Sequence, residues 1–301
     1  MYTKAYGIIE TLAPLHVGAT AGEESGNLNL IFRDQFTQTG IIPGSSIRGR
    51  LRAEMRNNEG ESQANYWYGN GADDDSNNES IVKFEYASII WIPVFCPGQP
   101  IVWVSSPRLL KRYQRIAGDS IQVQIKEGKD KYLKDIPIPD LYTGGEKLIA
   151  KQAPGGKKTI FFNLGFLEIN RTENLSPWFP DLQERPAVIV NDGDIGMIHD
   201  MALYRQSRVR LKSDQKVVEG GGFFNTEALP EGTILVFPLA IREDKSDQSK
   251  NQKFQPFASG DKADIYLGGL ESIGFGHCEL TIKFQSNVNH LITEKTTEEN
   301  S

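Results

Sequence analysis

Helical and extended periods are unequally shared along this chain, and that imbalance limits what it can fold into. Two stretches read as full helices. Residues 45–57 place Ile47, Leu51 and Met55 at i, i+4 and i+8 behind a serine cap, and Ser106-Pro107 opens a second helix with Leu109, Leu110 and Tyr113 on one side. A third, short helix fits 192–203. Strand-like runs outnumber them, at 4–12, 84–95, 100–105, 159–169, 186–190, 233–241 and 268–284, where Cys278, Leu280, Ile282 and Phe284 should alternate inward. Pro97-Gly98-Gln99 reads as a hairpin turn, residues 30–34 as a short extended piece and Thr39-Gly40 as a turn. Residues 204–229 read as a long hairpin bending near Gly220-Gly221-Gly222. The fold class expected is α+β, a split βαβ arrangement with large insertions and no internal repeat. Residues 58–80 read as a polar surface excursion, 118–158 as an inserted mobile lobe, 243–264 as a flexible connection and the end from Asn287 as a fraying tail.

The 301 residues suffice for a sizeable core, and 39 % apolar with 24 % charged residues marks a globular protein. No run reaches the roughly 18 apolar residues of a membrane span, and residues 1–10 lack the pattern of a secretion signal. Two distant cysteines, Cys96 and Cys278, argue against a disulfide framework and a cysteine-ligated zinc. They fit a reducing cytoplasm, where the sequons at Asn78, Asn170 and Asn174 carry no meaning.

The net charge of −6 is unevenly spread: segments 47–56, 107–134 and 204–216 carry +3, +5 and +4, against −18 for the remainder. Because salt confines a field to about 10 Å, such stripes could together hold a polyanion if folding gathers them. Taken singly, each reads first as an ordinary solvated face.

The strongest local motif is Ile42-Pro43-Gly44-Ser45-Ser46-Ile47-Arg48-Gly49-Arg50-Leu51-Arg52. A helix N-terminus with two hydroxyls, and arginines repeating beside the apolar stripe, would cradle phosphodiesters without reading bases; a capped helix with exposed arginines is the plain alternative. The glycine loop Gly268-Gly269-Leu270-Glu271-Ser272-Ile273-Gly274-Phe275-Gly276 precedes a strand, so it is no dinucleotide fingerprint; it reads as an RNA-facing loop or a turn cluster. Residues 154–159 resemble a phosphate loop, but Lys151 and Lys158 break the pattern. His16 is an acid–base or ligand-binding candidate, or a structural turn residue. Asp73, Asp74 and Asp75 lack calcium-loop spacing and read as solvated. No motif supports a metallohydrolase or serine hydrolase.

Taken in order, Leu15-His16-Val17-Gly18, Arg33-Asp34, Thr39-Gly40, the segment from Ile42 to Gly49 and the loop from Gly268 to Gly276 resemble the RAMP superfamily of CRISPR proteins. Residues 103–113, 188–200 and 208–233 are similar, more narrowly, to the Cmr-type backbone subunit of type III effector complexes. The resemblance implies a single domain over 1–286, with an RRM-like, ferredoxin-type βαββαβ palm, an inserted lid or finger, and a thumb hairpin at 118–158 or 204–229. It implies copies stacked head-to-tail along a CRISPR guide RNA, holding complementary target RNA beside other type III subunits, with no membrane partner. His16, Arg33, Ser45, Ser46, Arg48, Arg50, Arg52, Gly268, Gly269, Gly274 and Gly276 would then face RNA.

The same resemblance implies metal-dependent cutting of target RNA by a loop aspartate, at the position where this chain has Leu28 flanked by Asn27 and Asn29. No aspartate occurs between His16 and Arg33. Asparagine is no general base and a weaker Mg²⁺ ligand than a carboxylate, so the candidates left are Glu23, Glu24, Asn27, Asn29 and Asp34. The expectation is a subunit that binds guide and target but cuts weakly or not at all. It holds no tight cofactor, with Mg²⁺ or Mn²⁺ entering only if cleavage occurs. Two other readings stay open: a stand-alone RAMP endoribonuclease processing CRISPR precursor RNA with His16, and a β-rich carbohydrate binder.

Overall fold

The first strand, Tyr2–Thr11, shows why this sheet is buried on both faces. Its Ala5 and Ile9 pack with Ile47, Leu51 and Met55, whereas Tyr6 and Ile8 pack with Leu110, Tyr113 and Ile116. Alternation along a strand separates the two sets. In the computed structural model, residues 2–18, 28–70, 79–127, 130–153, 155–211, 218–242, 254–258 and 260–285 are described.

The architecture is mixed α+β around an 11-stranded sheet. Its central run places Ala87–Cys96, Ile234–Arg242, Tyr2–Thr11, His277–Phe284 and Lys262–Tyr266 side by side, each antiparallel to its neighbour. Beyond Ala87–Cys96 come Gln99–Ser105, Ala187–Ile189, Thr143–Gly145 and Arg171–Glu173, with two parallel pairings among them. Close register in the centre needs one glycine: a Cβ on Gly7 would sit 2.1 Å from the ring of Phe237, its partner across the ladder.

Helix α1, Gly44–Glu59, and helix α2, Glu61–Tyr68, pack on one face of the sheet; helix α3, Pro107–Ala117, packs on the other. Helix α4, Ile195–Ala202, packs with the first group through Ile195 and Ile198. The hairpins read at 84–105 and 204–229 and all three expected helices are present.

Several expectations need correction. The polar excursion at 58–80 contains α2, whose Ala64, Trp67 and Tyr68 are buried; Trp67 meets Phe254 edge-on at 5.3 Å. Asp73 to Asp75 lie outside the described residues. The region 118–158 is only partly an inserted hairpin, Gln122–Glu127 with Asp130–Asp135, because Thr143–Gly145 is a buried strand of the main sheet. Small residues are needed there: a Cβ on Gly145 would lie 2.9 Å from the Glu184 carboxylate. The connection at 243–264 is anchored late, since Phe254 and Phe257 are buried and Lys262–Tyr266 is an edge strand; residues 243–253 lie outside the description. Gly220 to Gly222 fall within the strand Val218–Ala228, not at the bend. Phe284 is 50 % exposed, at the last position of its strand, although its backbone still pairs with Ala5. Residues 30–34 form isolated bridges, Gly18 with Ile31 and Arg33 with Gly40, instead of a strand. The tail from 286 is not described. Among the described residues no helix is long and apolar enough to cross a membrane.

Candidate nucleic-acid interface

Helix α1 begins after Pro43, and neither Ser45 nor Ser46 caps it through its side chain. Both serines sit inside the first turn, which correct the expected serine cap and leave hydroxyls at an acid-free helix start. Gly44 makes this start possible, because a Cβ there would lie 2.7 Å from the Phe84 carbonyl.

The arginines of α1 divide their work. Arg48 donates through Nε to the Tyr68 carbonyl at 2.9 Å, closing the C-terminus of α2. Arg52 reaches Glu61 at 3.0 Å and Asn65 at 2.6 Å, bracing the same pair of helices. Arg50 pairs with Glu54 at 2.5 Å and faces Glu271 of the glycine loop at 3.7 Å. Of the arginines expected to face RNA, Arg50 is thus the one on the loop side.

The glycine loop and the turn around His16 interlock. Gly268 has φ +78°, and a Cβ on it would lie 2.1 Å from the His16 carbonyl; Gly269 N–H donates to that carbonyl at 2.9 Å. Gly276 has φ +85° and donates to the Pro14 carbonyl at 2.9 Å. These two glycines serve close backbone approach, while Gly269 and Gly274 have open space where a side chain would be. His16 is buried and donates through Nδ1 to the Glu227 carbonyl at 2.7 Å. The loop continues onto the long hairpin, with Phe275 edge-on to Tyr204 at 5.9 Å and the Arg208 guanidinium 5.0 Å over Phe275. The His16 turn, the glycine loop, α1 and the hairpin base therefore share one surface.

Arg33 is occupied within the fold. It pairs with Asp200 and Glu227, both at 3.0 Å, and Arg205 reaches the same two acids at 2.9 and 3.1 Å. The Glu227 side chain is only 4 % exposed, while Asp200 and Arg205 are about half exposed, so the two cations and two anions cancel around one buried carboxylate at the edge of the fold. Burial raises Asp200, but hydrogen bonds and charge from Arg33 and Arg205 outweigh it and hold the carboxyl below its ordinary range. His199 beside them accepts the Gly40 N–H at Nε2, 2.9 Å away. Burial first, then Arg33 and Arg205, push it down to about 3 against the pull of Asp200, so it is neutral near pH 7. This cluster was invisible in sequence because Arg33 and its partners lie 167 and 194 positions apart.

Of the candidate carboxylates and amides, Glu23, Glu24 and Asn27 lie outside the described residues. Asn29 ends the short strand Leu28–Asn29, paired parallel with Asn225 and Thr226 of the hairpin. Asp34 anchors its own turn: Oδ1 accepts from Phe36 N at 2.9 Å, Thr37 N at 2.8 Å and Thr37 Oγ1 at 3.0 Å. Burial raises its pKa, and these bonds, aided by Arg112, bring it below the ordinary value. Among the described residues no group of three or more His, Cys, Asp or Glu side chains could hold a metal ion.

Comparison with known proteins finds the same pattern over the chain. The RAMP superfamily matches residues 8–279. The chain is 24 % identical over 296 residues to the CRISPR system Cmr endoribonuclease Cmr4 of Pyrococcus furiosus (strain ATCC 43587 / DSM 3638 / JCM 8422 / Vc1), covering 94 % of this chain and 97 % of that one. Among solved structures, a type III-B Cmr-beta complex bound to cognate target RNA holds a chain with TM-score 0.64 and 21 % identity, covering 93 % and 96 % of the two chains. Oligomeric Cmr4 from Pyrococcus furiosus gives TM-score 0.61 at 18 % identity, over 95 % and 100 %. The match runs from the first strand to the last, through the His16 turn, α1 and the glycine loop, and on that basis the chain belongs to the RAMP superfamily.

Proposed function

We propose that this chain is a backbone subunit of a type III CRISPR ribonucleoprotein. It binds guide RNA, stacks head-to-tail with further copies of itself beside other effector subunits, and holds complementary target RNA. The observation that carries this reading is the continuous surface from the acid-free first turn of α1, across the open backbone at Gly269 and Gly274, to Arg208 stacked on Phe275. Hydroxyls, a glycine backbone without side chains that lets a polyanion come close, and an arginine held in place over the buried Phe275 are what phosphodiester contacts use.

The palm is RRM-like in this reading. What supports it is the order His277–Phe284, Tyr2–Thr11, Ile234–Arg242, Ala87–Cys96, in which α1 crosses from the first strand to the last-named one over an intervening antiparallel strand. That is the 4-1-3-2 order of a ferredoxin-type βαββαβ unit, with the second crossover replaced by residues 243–276. We read residues 1–286 as one domain, with the hairpin Gln122–Glu127 and Asp130–Asp135 as finger insertion, 204–229 as thumb and 287–301 as tail. The thumb assignment is supported by the pairing of that hairpin with Leu28–Asn29, beside the loop of candidate carboxylates. The cytoplasm suits two buried free cysteines, of which Cys278 is raised to about 12 by burial.

Cleavage is proposed to be weak or absent. Leu28 replaces the expected aspartate, Asp34 is engaged in its turn, and the described residues form no divalent-cation cage. In this reading Mg²⁺- or Mn²⁺-dependent cutting draws on Glu23, Glu24 or Asp34, to be tested by single alanine substitutions. The test assembles the purified subunits on guide RNA, follows sedimentation, and adds labelled complementary RNA with Mg²⁺, Mn²⁺ or EDTA. Species that grow with guide length, and target held without evenly spaced cuts, are expected. Failure to assemble on RNA overturns the backbone reading; periodic metal-dependent products overturn the cleavage reading alone.

A further inference from the structure

Helix α3 buries Leu110, Tyr113, Ile116 and Ala117 on the face of the sheet opposite α1, while Leu109 at its start joins the cluster that holds α1. The side left outward carries Arg108, Lys111, Arg112 and Arg115, spaced i, i+3, i+4 and i+7, so four cations form one ridge. At 1.5 Å per residue the ridge is about 10 Å long. It lines an open groove of about 1030 Å³, whose other walls include the Asp34–Thr37 turn, Tyr86 and Ser88.

Among the described residues lining this groove, four cations outnumber three acids, Asp34, Asp135 and Asp192. Arg108, Lys111 and Arg115 have no side-chain ion pair among the described residues. The three acids present are engaged: Asp34 holds its turn, Asp192 accepts the Arg108 backbone N–H at 3.0 Å, and Asp135 accepts from Gln122 at 2.7 Å. Arg112 is fixed in place, donating to Ser88 Oγ at 2.7 Å with its guanidinium 4.3 Å over the Tyr86 ring. Beside the ridge, Phe36 is 79 % exposed on a turn that the Asp34 carboxylate braces through the Phe36 and Thr37 amides. A large apolar ring held in water next to a cationic ridge has the composition of a stacking platform on a phosphate track.

We infer that this groove is a second binding site for single-stranded RNA, with phosphodiesters along Arg108, Lys111 and Arg115 and a base stacked on Phe36. It extends the proposed RNA-binding function to the face that the α1 surface does not reach. A base stacked on Phe36 uses the ring and the cations together, whereas a run of carboxylates would use the cations alone.

The test is binding of a fluorescent oligouridylate of about 16 nucleotides to the full chain over a range of salt. The triple variant R108A/K111A/R115A should bind at least about tenfold more weakly, and the slope of log K on log salt should flatten by about 2, three phosphates at about 0.7 each. Phe36→Ala should weaken binding about fivefold or more without changing that slope. The charge-keeping variant R108K/K111R/R115K should retain affinity, which separates lost charge from lost folding. Arg50→Ala reports the α1 surface independently. If Arg50→Ala weakens binding and the triple variant does not, the groove is overturned while the proposed function stands. If the unaltered chain binds no RNA, both fall. If Phe36→Ala is silent and polyglutamate competes as well as RNA does, the groove belongs to an acidic protein segment and the RNA assignment is overturned.

Discussion

Gly268 holds its backbone at φ +78° directly against the His16 carbonyl, whereas a side chain on Gly269 would enter open space. Alanine at 268 must move backbone as well as adopt a strained conformation, and should cost about 3 kcal/mol or more in urea unfolding. Alanine at 269 should stay within about 0.5 kcal/mol. Equal effects would separate the glycine loop from the His16 turn. His199 gives a pH signature. Unfolded, it takes up a proton near pH 6.5, but in the fold it resists protonation down to about 3. Its contribution to stability is therefore complete above about pH 6.5 and lost on acidification, by about 1.4 kcal/mol per pH unit. Melting temperatures measured from pH 7.5 to 5 should fall less steeply for His199→Gln, which keeps an acceptor for the Gly40 amide. An unchanged slope would mean that burial, with Arg33 and Arg205, does not hold His199 neutral.

Helix α3 is started by a residue far from it in sequence: Ser106 makes no side-chain cap, and Asp192, 84 positions away, accepts the Arg108 N–H. Asp192→Ala should cost about 1 kcal/mol and speed amide exchange in the first turn of α3 ahead of α1. Uniform exchange in both helices would show that the cap is idle. The apolar faces of α1 and α3 were readable because Ile47-Leu51-Met55 and Leu109-Leu110-Tyr113 repeat at helical spacing. Helix α2 was missed because its three buried residues, Ala64, Trp67 and Tyr68, are too few to stand out from Glu, Asn and Gln neighbours. The strand Thr143–Gly145 was missed for a related reason: it is buried by being small, so it has no apolar period.

Across the molecule, the sheet keeps two basic surfaces apart, α1 with the glycine loop on one face and α3 on the other. A chain of net charge −6 can then present cations in two directions, with its excess acid elsewhere. This is the level at which sedimentation on guides of increasing length speaks, since stepwise growth needs each copy to hold RNA and a neighbour at once. The order of motifs, the helical and strand periods and the missing loop aspartate were present in the chain as written, because each depends on residues close in sequence. The use of those residues was decided by folding. Arg48 and Arg52 brace α2, Arg33 joins Asp200 and Glu227, and Arg108, Lys111 and Arg115 are left without an ion pair among the described residues. Whether a cation meets an internal carboxylate or carbonyl depends on which distant strands become neighbours, and here Ile234–Arg242 inserting beside Tyr2–Thr11 sets that arrangement.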